Sequence, residues 1–469
     1  MHLALLLACS TPSTEPTPPG ADGPGVVPTD PASVDDTDEV ADGPCDLIDH
    51  DAERAPALER PTDAPWRNVL LVTWDTTRRD HIGRLSEGDG ASLTPNLDAL
   101  IDRGLALTNH YSCSNWTLPS MTCMLTGRDA NNSGYLPTDT SPVPERLETL
   151  AELLSANGYA TGLFTANELV GPNTGLDAGY ATKRVFGKTT YASVVAAAGV
   201  DWLGAQGGAP FLLHLHFMDA HQPYAPPDAY LTELADLEPI PYDLDTIDGG
   251  NAIQDAWPSM SPEEQALVLQ HIEVRYSGGV RHMDDQLGWV LGQLEALGRA
   301  DDTVVVVASD HGEQLLERGV LGHARSLHPE EAATFAVIAA PGAAPVSWPH
   351  PTSHPDLLPT LLALVGVDTP KGVSGRVVGT APPLRAVHAE FAGNGRPTIQ
   401  AAKSQYARLI YTWDGALELY DYRADPHERA PIRDMSRCEV QTLWFGTLQP
   451  RSERLAAILG QSPVPPDVE

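Results

Sequence analysis

The sequence predicts an α/β fold: one large sheet of buried strands followed by a smaller antiparallel C-terminal part. Three observations carry this expectation. Short β-branched, apolar runs such as RNVLLVTWD (67–75), PFLLHLHF (210–217) and DTVVVVAS (302–309) read as strands covered on both faces. Capped or amphipathic helical segments alternate with them. After Gly379 the pattern becomes an apolar/polar alternation around Asp414-Gly415, a hairpin signal. A chain of 469 residues can bury a large core, as one big α/β domain with an appendage or as two to three units.

Charge narrows the partners. With 63 acidic and 29 basic residues the net charge is −34, which counts against nucleic acid. An anionic substrate would then need a locally positive site. The start, MHLALLLAC, is an apolar run too short to span a bilayer, and it resembles a bacterial lipoprotein signal ending at Cys9, although it lacks a basic leader. The expected layout is a signal peptide over 1–9, a disordered Pro/Thr/Asp-rich linker over 10–66, a main domain over 67–380 and a C-terminal subdomain over 381–469. The protein is expected to be exported to the cell envelope or periplasm, touching membrane only through a lipid on Cys9. Cys45, Cys113, Cys123 and Cys438 then permit disulfides, while Cys113 and Cys123 read equally well as buried thiols.

The first strand ends on Asp75, at the edge where open α/β sheets collect ligands; this carboxylate is either a ligand or a cap on its own turn. TPNLDALIDRG (94–104) reads as a helix between Pro95 and Gly104. YSCSNWTLPSMTCMLTGR (111–128) places Thr117 two residues before Pro119, at the start of an apolar helix. Free N–H groups and the helix dipole receive anions there. Thr117 is either a nucleophile, given a metal to lower its pKa, or an N-cap with a structural job.

LETLAELLSANG (147–158) is a glycine-stopped helix and YATGLFTAN (159–167) the strand after it. In PFLLHLHFMDAHQPY (210–224), His214 and His216 alternate with apolar residues and read as core or supporting groups, whereas His221 lies in the turn past the strand. Residues 225–260 read as a loop forming a lid or rim. A helical pattern over 262–298 is expected to break near Ser277-Gly278-Gly279. Four valines then lead into Asp310-His311, two side chains able to reach one ion, with an imidazole that favours Mn²⁺ or Zn²⁺ over Ca²⁺. Gly322-His323 follows one loop later. A strand over 332–342, a capped helix over 353–366 with a structural His354, the hairpin over 398–426 and a last helix, SERLAAILGQ (452–461), complete the chain.

From about residue 68 to 428 the chain resembles the sulfatase family of the alkaline-phosphatase superfamily. The matching segments, in order, are NVLLVTWDTTRRDHIG, TPNLDAL, WTLPSMTCMLTGR, LAELLSANGYATGLF, HFMDAHQPY, GGVRHMDDQLG, TVVVVASDHGE, Gly322-His323, HPDLLPTLLALVGV and LELYDYRADPHE. The resemblance implies an alkaline-phosphatase-like three-layer fold, with a large central mixed sheet flanked by helices and a small C-terminal antiparallel sheet. It also implies that Asp75, Asp310 and His311 hold one divalent cation (Mn, Zn or Ca), that Thr117 is the nucleophile, and that His221 and His323 hold the transferred group or protonate the leaving oxygen.

Departures from the family pattern qualify the activity. Where ester-hydrolysing sulfatases carry Cys or Ser in C/S-x-P-S-R, this chain has Thr117-Leu118-Pro119-Ser120-Met121, which counts against formylglycine. TANELVG (165–171) replaces a Gly-Lys-Trp-His-type segment, and Thr76 stands where many members have a second metal-binding Asp. The expected function is a metal-dependent hydrolase or transferase acting through Thr117 on phosphate-type esters of small molecules, lipids or glycans. A sulfuric ester hydrolase working without formylglycine and a catalytically silent metal-binding lipoprotein are the alternatives.

Overall fold

The computed structural model describes residues 67–86, 91–379, 385–393 and 395–466. The signal and linker expected over 1–66, with Cys9, lie outside the described residues, as does the domain boundary expected at 380. Strand β1 (Asn68–Trp74) has all seven residues buried. Its side chains alternate between two cores. Leu70, Val72 and Trp74 join the core that includes the helices Ala192–Gly204 and Pro262–Ala296. Val69 and Leu71 join the opposite one, with the helices Thr117–Thr126, Leu150–Ala156 and Leu357–Val365. A strand apolar at every position therefore fits a sheet covered on both faces.

The other strands are β2 (Leu105–Tyr111), β3 (Ala160–Thr165), β4 (Thr182–Val185), β5 (Phe211–Phe217), β6 (Thr303–Ser309), the short pair β7 (Gln314–Leu315) and β8 (Leu321–Gly322), β9 (Ala333–Ala339), β10 (Val346–Trp348) and β11 (Thr352–Ser353). The main sheet has the order β10-β2-β9-β6-β1-β5-β3-β4, with β11 beside β2. Only β9 runs antiparallel to its neighbours β2 and β6. The carboxyl ends of β2, β6, β1, β5 and β3 consequently share one edge. A four-stranded antiparallel meander follows: β12 (Val387–Gly393), β13 (Arg396–Lys403), β14 (Ala407–Thr412) and β15 (Leu417–Asp421). Asp414-Gly415 turns between β14 and β15, with Gly415 at φ +102°. The helix Gln449–Leu459 comes last.

A buried cluster pins the meander to the main body. Glu428, fully buried, accepts from Arg408 Nη1 (3.0 Å), Tyr422 Oη (2.8 Å) and His328 Nδ1 (3.2 Å). Tyr422 Oη in turn accepts from Tyr111 Oη at the end of β2 (2.6 Å). Burial opposes the Glu428 charge, but Arg408 and His328 outweigh it and hold the carboxyl down at about 2.

Two expectations are corrected. The helix Pro262–Ala296 runs unbroken through Ser277-Gly278-Gly279. A Cβ on Gly279 would lie 2.1 Å from the Asp219 carbonyl oxygen, and one on Gly278 would lie 2.8 Å from that of Tyr230. These glycines let other backbone approach the helix; they do not end it. The stretch 225–260 is not a plain loop either, because it contains the helix Ile247–Ala256, whose Thr246 side chain caps it by accepting from Gly249 N (3.1 Å).

Gly279→Ala is expected to lower stability by about 2–4 kcal/mol through backbone overlap, whereas Gly292→Ala, with open space around it, should be neutral or gain up to about 1 kcal/mol. Paired denaturant titrations check the contrast. Glu428 ionises in the folded protein far below the 4.5 of a free Glu side chain, so its stabilisation is present above that value and is lost as pH falls toward 2. Glu428→Gln should therefore cost about 3 kcal/mol at pH 7, and the gap to the unmutated protein should close in acid, as read by melting curves against pH.

Candidate active site

The shared sheet edge gathers the chemistry. Asp75 follows β1, and Asp310 and His311 follow its neighbour β6; all three are fully buried. One ligand atom from each lies within 4.8 Å of the others. His311 Nδ1 donates to the Gly312 carbonyl (2.9 Å), which leaves Nε2 as the bare nitrogen. That Nε2 is 3.9 Å from Asp75 Oδ1 and 3.5 Å from Asp310 Oδ2. Both of those oxygens are buried with no hydrogen-bond partner.

Electrostatics fits the same arrangement. Burial, then the neighbouring Asp75 charge, pushes the Asp310 carboxyl well up. Burial also opposes ionisation of Asp75, yet the hydrogen bond from His216 and the surrounding imidazoles hold it down. Burial and the adjacent His323 keep His311 neutral. Two unpartnered carboxylate oxygens and a bare imidazole nitrogen converging in a dry site are a donor set for a divalent cation.

Thr117 is the first residue of its helix; Trp116 is the N-cap, and no side chain caps the end. The hydroxyl therefore does not perform the capping job. Thr117 Oγ1 lies 3.5 Å from Asp75 Oδ2 and 3.4 Å from His311 Nε2, and it accepts from Asn167 Nδ2 (3.2 Å). Its helix is tied in place from several sides. Ser112 Oγ donates to the Asp310 carbonyl (2.7 Å) and contacts Ser120 Oγ (2.8 Å). His354 Nε2 donates to the Ser309 carbonyl (3.0 Å). Cys113 and Cys123 form a disulfide, with Cα atoms 6.6 Å apart, which closes a ring around Thr117.

His221 and His323 face each other, ring centroids 5.2 Å apart, and His323 lies 4.6 Å from the His311 ring. His323 Nδ1 donates to Glu313 Oε1 (2.8 Å), and Glu313 is fully buried. Burial works against a charged His323, but Glu313 raises it overall; burial lowers His221, whose Nδ1 donates to the Gln222 carbonyl. All six residues picked from the sequence thus meet at one site. Asp219 does not join them, because it binds His282 Nδ1 (2.6 Å) and Ala192 N (2.9 Å).

Sequence reasoning missed two residues, Asn167 and Glu313. Asn167 Nδ2 donates to Asp75 Oδ2 (2.7 Å) as well as to Thr117, and its signal was a polar residue just past the end of β3. His216, read from the sequence as a core or supporting group, donates to the same Asp75 oxygen (3.0 Å) from within β5. Glu313 closes the DHGE segment, yet its role depends on where His323 folds.

The sulfatase family model matches residues 67–367. The chain is 25% identical over 426 residues to the uncharacterized sulfatase YidJ of Escherichia coli K12, covering 78% of this chain and 83% of that protein. It is 26% identical over 393 residues to the multifunctional alkaline phosphatase superfamily protein PehA of Trinickia caryophylli, covering 66% and 76%. In fold it is similar to the phosphonate monoester hydrolase of Silicibacter pomeroyi, with a TM-score of 0.68, 21% identity and coverage of 84% and 96%. With a family match spanning most of the chain and the fold and edge geometry to go with it, this protein belongs to the sulfatase family, among the ester hydrolases of the alkaline phosphatase superfamily.

Proposed function

We propose that this chain is a metal-dependent hydrolase or transferase that cleaves phosphate-type esters through Thr117. The observation that carries the reading is the position of Thr117 Oγ1, within 3.5 Å of Asp75 Oδ2 and 3.4 Å of His311 Nε2 at an uncapped helix N-terminus. A divalent cation held by Asp75, Asp310 and His311 would lower the hydroxyl pKa and offset charge on the transferred group. The imidazole ligand favours Mn²⁺ or Zn²⁺ over Ca²⁺.

Thr117 Oγ1, its proton passed to solvent, attacks phosphorus while the bond to the leaving oxygen breaks. His323, its Nδ1 tied to Glu313, presents Nε2 to that oxygen and supplies its proton. His221, kept neutral by burial, and Asn167 position the phosphoryl oxygens. Water then releases phosphate from Thr117, or an acceptor hydroxyl takes the phosphoryl group, and the Thr117 oxygen regains its proton. A threonine sulfate has no gem-diol route of breakdown, so phosphorus suits this nucleophile better than sulfur. Substrates are esters of small molecules, lipids or glycans. The protein is exported and anchored through a lipid on Cys9; its first residues and the Cys113–Cys123 disulfide, a bond that persists in oxidising compartments, support this.

Thr117→Ala is expected to cut turnover by at least about 10³-fold with fold and metal content retained; surviving activity would remove Thr117 from the mechanism. The purified chain should carry about one divalent ion, measured by elemental analysis, and two would redraw the site around His221 and His323. A panel of p-nitrophenyl sulfate, phosphate, phosphonate and phosphodiester with Mn²⁺, Zn²⁺ and Ca²⁺ should favour phosphorus esters. Turnover of the sulfate alone would sink that preference.

A further inference from the structure

Beneath the site, a line of buried side chains leads away from Asp75. His216 Nε2 is 3.0 Å from Asp75 Oδ2, and His216 Nδ1 is 2.7 Å from Thr73 Oγ1. Thr73 Oγ1 is 2.9 Å from His214 Nε2, and His214 Nδ1 is 2.9 Å from Tyr180 Oη. Thr73, His214 and His216 are fully buried and Tyr180 is 4% exposed, so water does not complete their hydrogen bonding.

Donor counting fixes the direction of this line. The Asp75 carboxylate accepts, so His216 donates from Nε2, and with a neutral ring Nδ1 accepts from Thr73. Thr73 has a single hydroxyl hydrogen, and its other acceptor within reach, the Leu215 carbonyl, is farther away at 3.5 Å. With that hydrogen spent, Thr73 accepts from His214 Nε2, and His214 Nδ1 accepts the Tyr180 phenol hydrogen. Reversed polarity would leave that phenol hydrogen buried without an acceptor, a cost of about 1–3 kcal/mol.

We infer that Tyr180, His214, Thr73 and His216 are a one-directional hydrogen-bond chain that positions Asp75, locking Oδ2 inward so that Oδ1 faces the ion. The partners of Asp75 agree with this. Oδ2 receives His216 and Asn167, whereas Oδ1 has no partner and faces His311 Nε2. A carboxylate free to rotate would divide its oxygens between the protein and the ion. The four are positioning residues, and Tyr180 acts on Asp75 across three intervening side chains.

The inference rests on the cation site proposed above, and its test separates the two. Zn²⁺ affinity of the full chain is measured by competition with a chromophoric chelator, alongside thermal melting. His216→Leu is expected to weaken binding about 10–100-fold, and Tyr180→Phe, which removes one oxygen remote from the ion, should weaken it toward the low end of that range. His216→Gln should recover most of the loss, because its amide can donate to Asp75 and accept from Thr73. If folded Tyr180→Phe and His216→Leu bind Zn²⁺ like the unmutated protein while only their melting temperatures fall, the chain is structural filling and the inference is overturned. Should His216→Leu fail to fold, Tyr180→Phe decides by the same measure. Absence of Zn²⁺ binding by the unmutated protein would remove the cation site itself, and this inference with it.

Discussion

Asp75 and Asp310 sit at the ends of adjacent parallel strands, fully buried, each with one oxygen that nothing in the protein satisfies. Two like charges in a low-dielectric edge repel strongly, and burial drives the Asp310 carboxyl toward its neutral form. Either one carboxyl stays protonated or a cation joins them. The geometry of the edge is compatible with the second arrangement, because both unpartnered oxygens lie near His311 Nε2. Neutral imidazole at His311 offers a lone pair and no charge, and Asn167 and His216 both bind Oδ2 of Asp75, leaving Oδ1 without a partner.

A hydroxyl beside such carboxylates must be held without drifting, and the helix that carries Thr117 is tightly restrained. All ten of its residues are buried. The loop before it hydrogen-bonds to the Asp310 backbone through Ser112, so Thr117 and one carboxylate are referenced to the same strand end. The disulfide fixes the loop to a later turn of the same helix. Movement of Thr117 relative to Asp310 would therefore have to break covalent and hydrogen-bonded ties together, which is the form that preorganisation takes in a buried site.

Much of this was legible in the sequence because the signals were local. β1 and β6 announce themselves as apolar runs, and a carboxylate or an Asp-His pair directly after such a run must land on the sheet edge. The glycines at 278 and 279 misled because a helix-breaking signal and a close-packing requirement look the same until the partner backbone, Asp219 and Tyr230, is known. The helix Ile247–Ala256 was missed for a different reason: the Pro and Asp richness of 225–260 reads as loop and hides the short capped helix within it. His216 was legible only as a core or supporting group without a partner, since one face of a buried strand cannot be told from the other without knowing which strand pairs beside it. The pairing of β5 with β1 is what brings His216 to Asp75.

A net charge of −34 and the field inside the site act on different length scales. Exposed charges are screened beyond about 8 Å at physiological ionic strength, so distant surface carboxylates contribute little inside the buried site. Within the site, the carboxylates of Asp75, Asp310 and Glu313 face one imidazole that its surroundings favour in the charged form, His323. A divalent ion there would bring that local sum close to neutral, and the uncapped helix end would tip it positive toward an approaching group. An anion would then meet a field made by the ion and the helix, not by the protein's net charge. The unpartnered oxygens of these three carboxylates therefore say more about this site than its overall acidity does.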